Sequence, residues 1–179
     1  MATLKVPVSD NDHRQGSAHA KVTLVEFGDY ECPYCGLAYW VVKKLQQHFL
    51  EDLQFVFRNF PLTTAHPHAL GAAVTAEYAG SRGFFWEAHD ELYEHQDRLG
   101  LPLFRAIVQK HGLSSKERVL AMQDDIYLPK IQSDFNGGER SGVNGTPAFY
   151  IDGLRYDGVP ELAEMSRMIE LSLVRGRNR

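Results

Sequence analysis

The sequence predicts an α/β domain in the order β-α-β, then a block of helices, then β-β-α. Three observations carry that reading. Residues 21–27, Lys-Val-Thr-Leu-Val-Glu-Phe, form a β-branched and almost unbroken apolar run, the pattern of a strand covered on both faces. A helix-period pattern starts at Pro33 and runs to about residue 50, and a second strand-like run follows at 54–59. Strand, crossover helix and strand imply a parallel pair with a right-handed connection. At the far end, Ala148-Phe149-Tyr150-Ile151, the turn pair Asp152-Gly153 and Leu154-Arg155-Tyr156 spell a tight hairpin.

Each element has its own local reason. Residues 1–20 are polar and turn-forming, with one short strand expected at 4–8. Pro33 suits the first position of a helix. Leu37, Val41, Leu45 and Phe49 recur at intervals of four with Ala38 and Val42 beside them, and Lys43, Lys44, Gln46 and Gln47 fall opposite, which predicts an amphipathic helix. From Pro67 to Gly142 the pattern is helical. An Ala-rich helix covers 67–79, and a second over 84–99 aligns Phe85, His89, Leu92 and Tyr93. A third over 102–111 is ended by Gly112. Phe84, Phe85 and Trp86 are expected in the core. Ser114 followed three residues later by Glu117 is a capping-box signature for a helix reaching about Met122. A weaker helix is expected at 129–140, because Gly137 and Gly138 lie inside it. Pro160 opens the last helix, with Leu162, Met165, Met168, Ile169 and Leu173 as its apolar stripe. The expected division is 1–62 for the first half with the cysteine motif, 63–142 for an inserted helical domain, and 143–179 for the second half.

Bulk properties narrow the function classes. At 179 residues the chain is one domain, or one carrying a sizeable insertion, with an ordinary 44% hydrophobic and 23% charged composition. A net charge of −4 supplies no basic field, so nucleic acid is not an expected partner. Arg175, Arg177 and Arg179 read as a solvated tail. No basic start followed by an apolar stretch marks a signal peptide, and no apolar run reaches membrane-spanning length. The expectation is a cytoplasmic protein with no membrane partner.

The chain has two cysteines, both in the motif Cys32-Pro33-Tyr34-Cys35. A structural disulfide gains most by closing a long loop, and this pair closes almost none. The pair therefore calls for a chemical explanation. Cys32 sits where free backbone N–H groups and the helix dipole favour negative charge, so its thiolate is expected to be stabilised and open to solvent. Cys35, almost one turn later, can resolve a mixed disulfide formed at Cys32. Zinc would need more ligands than the chain offers, since no other Cys exists and no signal places His66 or His68 near Cys32, so no metal is expected. Glu26 interrupts the first strand on the same face as Leu24 and Gly28. If buried it suits proton exchange with Cys35; if the strand lies at an edge it is merely solvated. Gly145-Thr146-Pro147 precedes a strand and suits a tight turn of the kind that can carry a cis bond, leaving the Thr146 backbone free to pair with an extended substrate. Asp29 and Glu31 flank the pair with negative charge and oppose the thiolate, only weakly if they face solvent. His66-Pro67-His68 reads as a helix entry.

Together these stretches resemble the DsbA-like branch of the thioredoxin superfamily. The resemblance rests on Val22–Cys35, Phe57-Arg58-Asn59-Phe60-Pro61-Leu62, His66-Pro67-His68-Ala69, Phe85-Trp86-Glu87-Ala88-His89-Asp90 and Ser141–Phe149, in that order across residues 20–175. It implies a thioredoxin fold with a helical domain inserted between its halves, Cys32 as nucleophile, Cys35 as resolving thiol, and Glu26 as a buried acid. It also implies a cis Pro147 against the disulfide, with Pro33, Tyr34, Thr146 and Pro147 meeting substrate. The implied activity is thiol-disulfide exchange with protein or small thiols, recycled by a system such as glutathione or thioredoxin. No cofactor beyond the redox-active disulfide is implied, with glutathione a candidate co-substrate. Pro33-Tyr34 is similar to the glutaredoxin dipeptide, whereas strongly oxidising members usually carry Pro-His, so oxidase, reductase and isomerase directions stay open. Three other functions compete: a glutathione-linked transferase or isomerase of related fold, a peptide-binding chaperone, and a cluster-binding dimer using two copies of Cys32.

Overall fold

The structure is a computed structural model that describes residues 2–177. Its strands are β1 His13–Gln15, β2 Val22–Gly28, β3 Leu53–Asn59, β4 Ala148–Ile151 and β5 Leu154–Tyr156. Its α-helices are α1 Pro33–Phe49, α2 Ala69–Gly80, α3 Phe85–Glu94, α4 Leu101–Lys110, α5 Ser115–Gln123, α6 Leu128–Ser141 and α7 Leu162–Arg177. The sheet order is β1-β3-β2-β4-β5, which makes β2 the central strand. It runs parallel to β3, with α1 as the crossover, and antiparallel to β4.

The hairpin β4-Asp152-Gly153-β5 forms as its sequence predicts. Asp152 at φ 47° and Gly153 at φ 78° both occupy the left-handed region that such a two-residue turn requires. Ser114 caps α5 by accepting from the Glu117 N–H at 3.2 Å. The expected strand at 4–8 does not form. The carbonyls of Val6 and Pro7 instead accept from the buried Arg58 guanidinium at 2.8 and 3.0 Å, so they are spent on a side chain rather than a ladder. The outer strand is His13–Gln15, paired with Phe55–Phe57. Arg175 lies in the last turns of α7; Arg179 lies outside the described residues.

The sheet is covered on both faces, which explains its nearly continuous apolar strands. One face carries Leu24, Phe55 and Phe57 in a single core with Ala38, Val42 and Leu45 of α1, Met165 and Ile169 of α7, and Ala72, Ala76, Phe85 and Leu92 from α2 and α3. The inserted helices therefore share the core of the sheet. The opposite face packs Val25, Phe27, Val56 and Tyr150 against Phe60, with Phe135 of α6 and Leu4 and Val8 at its margin.

Two departures have packing causes. The buried stripe of α1 is Cys35, Ala38, Tyr39, Val42 and Leu45, while Leu37 is 68% exposed. Helix α1 meets α3 as well as the sheet, and Tyr39 stacks on Tyr93 at 5.3 Å, so the helix is rotated away from the stripe its spacing suggests. Helix α6 runs unbroken through Gly137 and Gly138. A Cβ at Gly138 would lie 2.7 Å from the Phe60 ring and 3.0 Å from Phe27, so glycine is what lets α6 approach the sheet. Helix propensity alone expects Gly138→Ala to stabilise the protein. The close approach expects a net loss of about 1–3 kcal/mol in urea denaturation. A gain in midpoint would refute the packing account.

Candidate active site at the cysteine pair

The central strand ends at Gly28, and a four-residue turn leads into α1. Cys32 is the N-cap residue of α1, with φ −70° and ψ 120°, and Pro33 follows in the first turn. Its N–H donates to the Asp29 carbonyl at 3.1 Å, and its own carbonyl accepts from Gly36 at 3.1 Å. Its thiol donates to the Thr146 carbonyl at 3.3 Å, and the Thr146–Pro147 bond is cis. The turn before β4 thus reaches across the sheet to the first sulfur. Cys32 is consequently only 4% exposed, against the expectation of an open thiol. The helix start is exposed in sequence terms, but the Thr146 loop closes against it. Cys35 is fully buried and accepts from the Asp29 N–H at 3.5 Å.

The two sulfurs are pushed in opposite directions. Cys32 is lowered to about 5, chiefly by a hydrogen bond from Cys35 to its sulfur; the Thr146 side chain and the backbone N–H groups of Tyr34 and Cys35 add to this against the opposing cost of burial. Cys35 is raised, first by burial, then by Cys32 and Glu26. One sulfur is therefore an anion at neutral pH and the other a thiol, an arrangement suited to stepwise exchange.

Glu26 is 1% exposed on the central strand, registered with Phe57 on one side and Phe149 on the other, so it cannot be a solvated edge residue. Its Oε1 has no hydrogen-bond partner among the described residues. Burial, followed by the charge of Cys32, raises it to about 8. The Tyr93 hydroxyl is also buried and unpartnered among the described residues, and it lies 2.9 Å from where a Cβ on Gly28 would stand. Gly28 thus makes room for a tyrosine from α3 beside the strand carrying Glu26.

Sequence reasoning left the exposure of Asp29 open; it is 1% exposed. Its Oδ1 accepts from the Glu31 N–H at 2.8 Å, and its Oδ2 accepts from the Leu62 N–H and bonds His66 Nδ1, each at 2.8 Å. His66, which the sequence could not place, is thereby brought to the redox turn. Burial lowers its pKa, but the bond and charge of Asp29, helped by Cys32 and Glu31, outweigh this and raise it. The Asp29-to-Glu31 contact is an Asx-turn, a pattern legible in Asp-x-Glu after a strand. Gln96, from the 3-10 turn after α3, escaped notice altogether. Its amide donates to the carbonyls of Tyr30 and Cys32 at 2.7 and 2.9 Å, and Gly36 is small enough to admit it. Around the pair, Tyr34 (69%), Leu37 (68%) and Trp40 (53%) form an exposed apolar row on α1.

The thioredoxin family profile matches residues 8–171. A protein named Na(+)/H(+) antiporter NhaA 1 from Salinispora arenicola is 38% identical over 167 residues, covering 93% of this chain but 26% of the relative. The chain thus spans about a quarter of the curated relatives it matches, and no helix among the described residues is long and apolar enough to cross a membrane. Among solved structures, oxidised BdbD from Bacillus subtilis superposes with a TM-score of 0.86 at 22% identity, covering 96% of this chain and 98% of that one. Wolbachia pipientis alpha-DsbA1 gives 0.83 at 20% identity, covering 97% and 96%. At such identities these likenesses speak to the fold.

Alkylation of the reduced protein checks the electrostatics. The rate at Cys32 should reach half its plateau near pH 5; a midpoint near that of a free thiol, about 8.5, would overturn this account. Glu26 has the opposite linkage. Its raised pKa favours the fold fully below the unfolded value of about 4.3, and that stability is lost as pH rises through about 8. Glu26→Gln should therefore be more stable than wild type at pH 9 by about 2 kcal/mol or more, with the gap closing below pH 4. Thermal melts that differ equally at both pH values would refute this.

Proposed function

The chain belongs to the thioredoxin family, and from that membership and the geometry of its cysteine pair we propose that it is a DsbA-like thiol-disulfide oxidoreductase. The observation that carries the reading is the opposed pKa of two sulfurs held one helical turn apart, beside a buried and unpaired carboxylate.

In the proposed reaction the Cys32 thiolate attacks a substrate disulfide. An S–S bond forms between Cys32 and one substrate sulfur while the other leaves as a thiolate. Ionised Glu26 takes the proton from Cys35. The Cys35 sulfur then attacks Cys32, and the second substrate thiolate departs. The substrate gains two electrons and the enzyme pair becomes a disulfide; the same steps reversed oxidise a substrate dithiol. An acidic Cys32 stabilises the dithiol form and so favours donation of the disulfide to substrates. Extended protein segments suit this site: the Thr146 backbone lies at Cys32, and Tyr34, Leu37 and Trp40 offer an apolar landing beside it. Recycling by glutathione or thioredoxin belongs to the same proposal.

A titration of the pair against glutathione, read by thiol trapping or by Trp40 fluorescence, tests the direction. Cys32→Ser should abolish exchange, and Cys35→Ser should accumulate the mixed disulfide. Glu26→Gln should slow resolution about tenfold or more near neutral pH. Undiminished turnover in Cys32→Ser would end the oxidoreductase reading and leave the groove to a chaperone.

A further inference from the structure

A cavity lies against the helical block. It is a groove of about 760 Å³ lined mostly by apolar side chains such as Leu70, Leu99, Phe104 and Met122, with Arg118, His68 and Thr63 as its polar members. Arg118 is 3% exposed. Its Nε donates to the Thr75 hydroxyl at 3.1 Å and one Nη to the Gly71 carbonyl at 2.6 Å, and its guanidinium lies 4.9 Å from the centre of the Phe104 ring. Every partner is neutral. Among the described residues no carboxylate comes within 4.0 Å of it.

An isolated buried cation is costly, and arginine does not escape the cost by losing its proton. Two hydrogen bonds and the Phe104 ring offset part of the burial of this guanidinium, but no opposite charge does. The other deeply buried arginine, Arg58, has its counter-charge in Asp12 at 2.7 Å. A purely structural pin between α5 and α2 would need only neutral donors. The position is also built to hold a guanidinium: a Cβ on Gly71 would press to 3.0 Å from Phe104 and 3.4 Å from the Arg118 Nη.

We propose that this groove binds a small amphiphile, an apolar chain ending in a carboxylate, whose head group pairs with Arg118. The apolar lining takes the chain. The guanidinium N–H groups not used by Thr75 and Gly71 form a planar fork that can hold a carboxylate by two parallel bonds. A terminal carboxylate on a slender chain can reach so deeply buried a group, whereas a carboxylate in the middle of a peptide cannot. The site uses neither cysteine and does not depend on the redox reading.

Decanoate is the probe, with decanol as the uncharged control and a short apolar peptide bearing a free C-terminal carboxylate as the alternative source, each titrated calorimetrically into the full chain. Decanoate should bind and raise the melting temperature. Decanol should bind about tenfold more weakly or worse. Arg118→Met, similar in length but uncharged, should remove the preference for decanoate. Should that variant fold poorly, Leu101→Glu decides: Leu101 is 55% exposed in the first turn of α4 beside the groove, where an acidic residue is tolerated and would repel the anion. No binding of decanoate to the wild type, equal binding of decanoate and decanol, undiminished binding in Leu101→Glu, or binding of the peptide alone would each overturn the proposal.

Discussion

The buried carboxylate of Asp29 sets the geometry on which the rest of the cysteine site depends. It stands at the junction between the central strand and α1, and its oxygens take N–H groups from the turn itself, from the Leu62 loop and from the His66 ring. Its own N–H reaches Cys35, and its carbonyl receives the Cys32 N–H. A buried carboxylate with this many hydrogen-bond partners avoids the cost of an unsatisfied polar group in the interior. Both sulfurs are therefore positioned by backbone atoms of one residue, and that residue is anchored to two loops from other parts of the chain.

Glu26 is the complement. It lies on the central strand, three residues before Asp29, and is as deeply buried, yet one of its oxygens has no partner among the described residues. Asp29 has its hydrogen-bond partners and serves as an anchor, whereas Glu26 is raised to about 8, first by burial and then by the charge of Cys32. Burial of Cys32 by the Thr146 loop adds a steric condition. Access to a sulfur so nearly covered is narrow.

The helical block is coupled to this chemistry through a shared core and through side chains it lends. Gln96 ties the carbonyls of Tyr30 and Cys32, Tyr93 fills the space above Gly28, and His89 bonds the Tyr30 hydroxyl at 3.0 Å. The price of a rigid redox turn is thus spread over two layers of structure. The same block holds Arg118, which has no opposite charge within reach among the described residues, in a groove of its own.

From local pattern alone the chain determined its element order, the hairpin at Asp152-Gly153, the cap at Ser114, and the pairing of Cys32 with Cys35 at a helix start. Those features depend on residues near one another in the sequence, through turn dihedrals, capping and the spacing of one helical turn. Tertiary structure decided the burial of Asp29 and Cys32, the rotation of α1 that exposes Leu37, the loss of a strand at 4–8 to the Arg58 guanidinium, and the roles of Gln96 and Gly138. Each of these depends on a partner from elsewhere in the chain: Leu62 and His66 for Asp29, Thr146 for Cys32, Tyr93 for α1, Phe60 for Gly138. Periodicity reports how many faces an element buries but not which neighbour each face will meet, and that neighbour sets burial, charge state and reach.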